Sequence, residues 1–328
     1  MPKGSRLGMS VLIGLHLPCP TLEARIVCVG GSESAIKKVL SRKLDMAQPT
    51  GSIEISRALE VAAQAARAGG KVAKARLGDP GYVKWKGDRD VVSEASMQVQ
   101  EAIVSKLLAE FPHSAILAEE GPEDAPLPVD AEHLWIVDPI CGSLNFVQGI
   151  PYFAVSIALR SEGSIRVGVV YDPCHDEMFE ATTEASSTLN GKKIAVQQIS
   201  EGAEAWESAV VGTDWPHSGP RREQARRIVG VMTGQVTECN LMGSPSLGIA
   251  SVAAGRLHAY WHLDLKIWDI AAASLILERA GGILTDAQGA TWLDSDGGYI
   301  ASNDVIHGWV LDCMQSVTNP PARPQGFR

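Results

Sequence analysis

The sequence predicts a mixed α/β fold in which helices and strands alternate along the chain. Apolar residues recur at helical spacing across residues 53–75, which is typical of an amphipathic helix. Residues 134–137 form a continuous apolar run, which favours a strand buried on both faces. Residues 153–159 and 165–171 follow strand-like alternation and indicate neighbouring strands of an antiparallel sheet.

The first half of the chain supplies further elements in order. Residues 93–111 predict a second helix, which ends before Pro112 because the residue preceding proline disfavours helical backbone. A strand at 115–118 comes next, followed by the apolar strand at 134–137. We expect that strand to end at Asp138-Pro139, with residues 141–143 forming a tight polar turn.

The second half predicts strands and helices in alternation, ending in a pair of strands. The predicted elements are strand 208–212, helix 219–233, strand 236–239, helix 245–254, strand 257–261, helix 269–280 and strands 283–285 and 299–301.

Composition excludes several classes of protein. With 328 residues and 45% hydrophobic content, the chain can build one large domain or two closely packed ones. A formal net charge of −9 without a long basic run disfavours binding to nucleic acid or to an acidic membrane. No apolar run reaches the roughly 18 residues of a membrane-spanning helix. The six cysteines form no CxxC pair, which favours reduced thiols and a cytoplasmic location.

Asp138 stands where the apolar strand is predicted to end. A carboxylate in that position is costly to bury unless a cation or hydrogen bonds compensate its charge. The segment 138–146, DPICGSLNF, resembles the DPIDGT-x-NF signature of the inositol monophosphatase family, the Mg²⁺-dependent, lithium-sensitive sugar phosphatases. Residues 116–121 resemble the family's glutamate-pair segment, and residues 268–273 with 278–282 resemble its WDxAAG…EAGG signature.

The resemblance runs from about residue 50 to about residue 312 and implies a five-layer α-β-α-β-α sandwich. It divides the chain into a metal-binding α+β half at 46–190, an α/β half at 191–316 and a tail at 317–328. Residues 1–45 match nothing in the family. We expect them to be poorly ordered, or to precede a true start at Met46.

The resemblance also implies a site for two cations. Glu119, Asp138 and the Ile140 carbonyl match the first metal position of the family, and Asp138, Cys141 and Asp269 match the second. Mg²⁺ is the expected cofactor because it prefers oxygen ligands.

The expected catalytic residues are Glu119, Asp138 and Ser143. Ser143 matches a threonine that orients the attacking water together with the glutamate. Gly142 and Ser143 open a predicted helix, and their N–H groups would bind the phosphate. Glu120 is expected to be a neighbouring surface acid.

The chain departs from the family pattern at two positions. Cys141 replaces an aspartate ligand, and a soft thiolate prefers Zn²⁺ to Mg²⁺, so Mn²⁺ or Zn²⁺ is an alternative cofactor. An inert buried thiol is an equally compatible interpretation. Ser96 replaces an aspartate that the family links to the site through water. Both changes remove a carboxylate from the catalytic region.

The segment before Asp269 is where the family lines the pocket for the leaving alcohol. His262 falls where inositol-cleaving members often carry a glutamate, and Lys266 follows nearby. Both would favour a second anionic group on the substrate, although a solvated rim explains them equally well. His258 likewise stands where the family usually has an acid.

The expected function is hydrolysis of a small phosphorylated polyol, sugar or related metabolite by a cytoplasmic homodimer. The alternative is a catalytically impaired family member that binds a phosphorylated metabolite or serves as a structural or regulatory subunit.

Overall fold

The computed structural model describes residues 26–28, 53–86, 90–120, 131–199, 206–292 and 298–318. Two sheets organise these residues. The first has eight strands in the order β1-β4-β5-β6-β7-β8-β9-β10. Its strands are β1 (Ile26–Cys28), β4 (Ala115–Ala118), β5 (His133–Cys141), β6 (Ala154–Ser161), β7 (Ser164–Asp172), β8 (Glu177–Thr182), β9 (Thr188–Leu189) and β10 (Lys192–Lys193).

Two helices cover one face of this sheet, α1 (Ile55–Arg76) and α2 (Glu94–Glu110). They pack closely because α1 presents small residues: a side chain at Gly69 would collide with Ile103 of α2. A short antiparallel hairpin, β2 (Val83–Trp85) and β3 (Val91–Ser93), joins the two helices.

The second sheet has five strands in the order β12-β11-β13-β15-β14. Its strands are β11 (Val210–Thr213), β12 (Glu238–Leu241), β13 (Ala259–His262), β14 (Ile283–Asp286) and β15 (Tyr299–Ser302). The helices α4 (Gly219–Met232) and α7 (Asp304–Thr318) share a core with the outer face of this sheet. The five-residue α3 (Ser143–Val147) follows β5 directly.

A helical layer lies between the two sheets and contains α5 (Pro245–Ala253) and α6 (Ile267–Arg279). Its residues share one apolar core with strands from both sheets. Close backbone approach positions α6, because a Cβ at Gly168 of β7 would collide with the Ala272 carbonyl oxygen. The five layers expected from the resemblance are therefore present.

The predicted elements are present, but β5 is longer than expected. It does not end at Asp138-Pro139 and continues to Cys141. A register shift between Asp138 and Cys141 accommodates Pro139, which has no N–H to donate to a ladder. Sequence patterns also missed the β2–β3 hairpin, β8, β9, β10 and α7, most of which are short.

Of the N-terminal segment 1–45, only residues 26–28 are described, and they form β1 beside β4. The expectation of poor order for the segment as a whole stays a prediction. Met46 and the tail beyond Thr318 lie outside the described residues. The proposed boundary at 190/191 falls inside the β9–β10 hairpin. Within the described residues, no helix combines the length and apolar character needed to cross a membrane.

We expect Gly168→Ala to destabilise the protein by about 1–3 kcal/mol, because the added methyl group forces α6 away from β7. Urea unfolding measures the effect. Gly230→Ala is the matched control: Gly230 lies exposed in α4 with open space around it, so this change should raise stability by up to about 1 kcal/mol. If the two changes altered the free energy of unfolding equally, the close approach of α6 to β7 would be contradicted.

Candidate metal centre

Two carboxylates meet where the parallel pairing of β4 and β5 ends. Ala118 pairs with Val137, and the Glu119 N–H donates to the Val137 carbonyl oxygen at 3.1 Å. Asp138 is the next residue of β5 and is only 1% exposed. Its Oδ1 accepts a hydrogen bond of 3.0 Å from the Ile140 N–H, which fixes the carboxylate within the bulge.

Asp269 reaches the same site from the first turn of α6. Its Oδ2 accepts a hydrogen bond of 2.7 Å from the Lys266 N–H. Two serines anchor this turn: Ser156 of β6 donates to the Trp268 carbonyl at 3.1 Å, and Ser246 donates to the Asp269 carbonyl at 2.8 Å. The start of α6 is thus tied to both β6 and α5.

Cys141 completes this group at the end of β5. It is 2% exposed, and its Sγ accepts a hydrogen bond of 3.3 Å from the Ser246 N–H. Asp138, Cys141 and Asp269 each present one ligand atom, and these atoms lie within 4.8 Å of one another. The structure therefore brings together the residues expected at the second metal position.

The electrostatics of this group are unfavourable without a cation. Burial raises the pKa of Asp138 well above its usual range, and Glu119 and Asp269 raise it further. Burial and the charge of Glu119 raise the pKa of Asp269 to about 7. Burial also raises the pKa of the Cys141 thiol, and the nearby aspartates add to this effect. Each group resists ionisation beside the others.

The expectation that Glu120 is a surface acid is wrong, because Glu120 is 1% exposed. Gln100 of α2 holds its backbone, accepting from the Glu120 N–H at 3.0 Å and donating to the Glu120 carbonyl at 2.5 Å. Burial and Glu119 raise the pKa of the Glu120 side chain to about 7, although Lys86 opposes the shift. Its Oε1 is buried and has no hydrogen-bond partner.

Lys86 is the cation that approaches this end of the site. Its Nζ lies 3.0 Å from Glu119 Oε1 and 2.7 Å from Glu120 Oε2. Burial alone would lower the pKa of Lys86, but the two glutamates outweigh burial and raise the pKa above its ordinary value. The ammonium group therefore stays charged and neutralises part of the cluster.

The turn after β5 requires glycine at its first position. Gly142 has a φ of +111°, and a Cβ there would lie 2.8 Å from the Gly243 carbonyl oxygen. The next residue, Ser143, donates its hydroxyl proton to the Ile140 carbonyl oxygen at 3.2 Å. Ile140, expected at the first metal position, is therefore in contact with Ser143, expected to orient the water. The roles of Gly142 and Ser143 in binding phosphate stay predictions.

Ser96 has a structural role at the start of α2. The Ser96 N–H donates to Ser93 Oγ at 3.0 Å, and the Ser93 N–H donates to Ser96 Oγ at 3.1 Å, which forms a reciprocal cap. Ser96 also interacts with the Glu120 side chain. Ser96 thus lies beside the Glu120 carboxylate.

His262 does not lie on a solvated rim. It is 3% exposed, and its Nδ1 accepts a hydrogen bond of 2.9 Å from the Asp264 N–H. Burial, together with the charges of His217 and Arg221, lowers the pKa of His262 to about 3. A histidine that is neutral at neutral pH cannot supply the positive charge expected for a second anionic group. His258 is buried too, and accepts from the Val210 N–H at 3.0 Å.

Lys266 is partly buried at the start of α6, and its contribution to substrate binding stays a prediction.

Sequence analysis missed Lys86 and Asp214 and misjudged Glu120. Lys86 carries no motif signal because it lies in a short hairpin loop. Glu120 is the second residue after the buried strand β4, a position that could have predicted burial. Asp214 follows β11 directly; it accepts from the Gly243 N–H at 2.6 Å and from the Tyr260 hydroxyl at 2.8 Å.

Comparison with known proteins agrees with this arrangement. The model of a family described as the inositol monophosphatase family matches residues 54–318. An inositol-1-monophosphatase of Rhizobium meliloti is 37% identical over 236 residues, which cover 71% of this chain and 86% of the relative. Nus factor SuhB of Pseudomonas aeruginosa is 33% identical over 263 residues, covering 78% and 95%.

Two solved structures share the fold. The extragenic suppressor protein suhB of Bartonella henselae has a TM-score of 0.73 and 32% identity, covering 79% of this chain and 98% of its own. The Thermotoga maritima IMPase has a TM-score of 0.72 and 30% identity, covering 80% and 98%. The layered fold thus has the architecture of the sugar phosphatases. The chain belongs to the inositol monophosphatase family, which confirms the resemblance.

Buried His262 predicts a specific pH dependence of stability. Its pKa is about 3 in the folded protein and 6.5 ordinarily, so the unfolded chain binds more protons between these values. The free energy of unfolding should therefore fall as the pH drops below 6.5, by about 1.4 kcal/mol per pH unit. His262→Asn removes this titrating group. Between about pH 6.5 and 4.5, the free energy of unfolding of the variant should therefore fall by ~2–3 kcal/mol less than that of wild type. Parallel pH profiles from urea unfolding would contradict this assignment.

Proposed function

We propose that the chain is a metal-dependent phosphate monoester hydrolase acting on a small phosphorylated polyol or sugar. The observation that carries the proposal is the convergence of Glu119, Asp138 and Asp269 from β4, β5 and α6 in a site where their charges repel one another. Membership in the inositol monophosphatase family supports the same chemistry.

The residues of the first cation position fit Mg²⁺. Glu119, Asp138 and the Ile140 carbonyl offer hard oxygen donors, and the buried Oε1 of Glu120 has no hydrogen-bond partner nearby. A bound Mg²⁺ would neutralise phosphoryl oxygens and make a water molecule more acidic. Asp138 and Asp269 also fit the second position, whereas the soft sulfur of Cys141 does not fit Mg²⁺.

The residues of the chain supply orientation and proton transfer in this proposal. Glu119 accepts the proton of the attacking water, and the Ser143 hydroxyl holds that water in line with the phosphorus atom. The N–H groups of Gly142 and Ser143 bind a phosphoryl oxygen. The contact of 3.2 Å between Ser143 and the Ile140 carbonyl supports this placement.

The second candidate function is metabolite binding without efficient turnover, as a structural or regulatory subunit. Two observations favour it: Cys141 replaces an oxygen ligand, and Lys86 forms an ion pair with Glu119. A relative from Pseudomonas aeruginosa carries the name Nus factor SuhB, which is not the name of an enzyme.

We also propose a cytoplasmic homodimer that binds neither nucleic acid nor membrane. The net charge of −9 supports the absence of polyanionic partners. The scattered cysteines support a location in a reducing compartment.

We expect Asp138→Asn to lower kcat/KM for phosphate release by about 10²–10⁴, because one oxygen ligand loses its charge while its hydrogen bond to Ile140 is kept. The assay uses a panel of sugar, inositol and nucleotide phosphates with Mg²⁺. Asp312→Asn, an exposed position on α7, is the control and should leave activity unchanged. Full activity of Asp138→Asn would contradict the enzymatic proposal, and an inert wild type would favour the second candidate.

Restoring an oxygen ligand should improve turnover with Mg²⁺. We expect Cys141→Asp to raise kcat/KM with Mg²⁺ by up to about 10²–10⁴. Cys141→Ala removes the sulfur without adding a carboxylate and should give no gain. An equal gain in both variants would show that the sulfur only obstructs the site.

A further inference from the structure

The donors of the second cation position differ in kind from those of the first. Asp138, Cys141 and Asp269 offer two carboxylate oxygens and one sulfur, and these three ligand atoms lie within 4.8 Å of one another. Sulfur is a soft donor that binds Zn²⁺ and Cd²⁺ strongly and Mg²⁺ poorly. A site with this sulfur donor therefore favours a softer cation than Mg²⁺.

The sulfur is held as an acceptor facing the carboxylates. Two contacts fix Cys141: the Ser244 hydroxyl donates to its carbonyl oxygen at 2.7 Å, and the Ser246 N–H donates to its Sγ at 3.3 Å. Ser246 lies in the first turn of α5, so the N-terminus of this helix also faces the sulfur. Cys141 is therefore positioned as a ligand.

The spacing of the donors suits a single ion. In the tetrahedral geometry usual for Zn²⁺, a sulfur and an oxygen ligand of one ion lie roughly 3.6 Å apart. The ligand atoms of this group lie within 4.8 Å of one another, so the side chains have to move inward to bind one ion. Asp269 is partly exposed as a residue.

We infer that Asp138, Cys141 and Asp269 form a site for one thiophilic divalent cation of the Zn²⁺ class, which binds there in preference to Mg²⁺. Binding forms a sulfur–metal bond and releases the thiol proton to solvent, so the step needs no oxidant or reductant. The inference rests on the proposed function, because Asp138 is also a ligand of the proposed Mg²⁺ position. Metal binding at the second position can nevertheless be measured without measuring turnover.

The experiment titrates the full chain with Cd²⁺ and records the ultraviolet charge-transfer absorption of the cadmium–thiolate bond. Wild type should develop the band up to one equivalent and keep it in excess Mg²⁺, and added Zn²⁺ should displace it. Cys141→Ser should lose the band. Cys239→Ser, which changes a partly buried cysteine outside the group, should keep it.

Direct competition provides a second measurement that does not depend on the serine variant. Loss of a group that only supports a metal ligand lowers metal affinity by roughly 10- to 100-fold. Cys141→Asp replaces a ligand itself, so it should lower the ratio of Cd²⁺ affinity to Mg²⁺ affinity by more than this. A band that persists in Cys141→Ser, or a wild type without any band, would overturn the inference. Phosphate release with Mg²⁺ alone, without a cadmium band, would leave the proposed function standing while this inference fails.

Discussion

Mutual repulsion among buried carboxylates is the constraint on which the site depends. Asp138 is 1% exposed, and its charged neighbours Glu119 and Asp269 raise its pKa above the usual range. A fold assembled only for stability would place apolar residues at these positions. Retaining acids there costs folding free energy, which a bound cation would offset together with the hydrogen bonds and Lys86, and this cost links the fold to its chemistry.

The position of α6 between the two sheets makes this arrangement rigid. Gly168 allows α6 to approach β7, and the hydroxyl groups of Ser156 and Ser246 fix the turn that carries Asp269. The site therefore consists of elements that the apolar core already holds in place. Lys86 is different, because it reaches the glutamates from a short hairpin and not from the apolar core.

The order of the elements was predictable because the spacing of apolar residues specifies helices and central strands locally. The meeting of Asp138, Cys141 and Asp269 was predictable from separate motifs that resemble those of the family. The extension of β5 through Pro139 was not predictable, because a bulge depends on pairing with β6. Lys86, Glu120 and His262 were misjudged or missed because their burial and ion pairs come from segments distant in the chain.

Thermal unfolding with and without divalent cations, in wild type and Asp138→Asn, tests the central claim most directly. If repulsion dominates, Mg²⁺ or Mn²⁺ should raise the wild-type Tm by several degrees. Asp138→Asn should then be at least as stable as wild type in chelator and should respond weakly to metal. A wild-type Tm that no divalent cation changes, together with a less stable Asp138→Asn in chelator, would contradict the account.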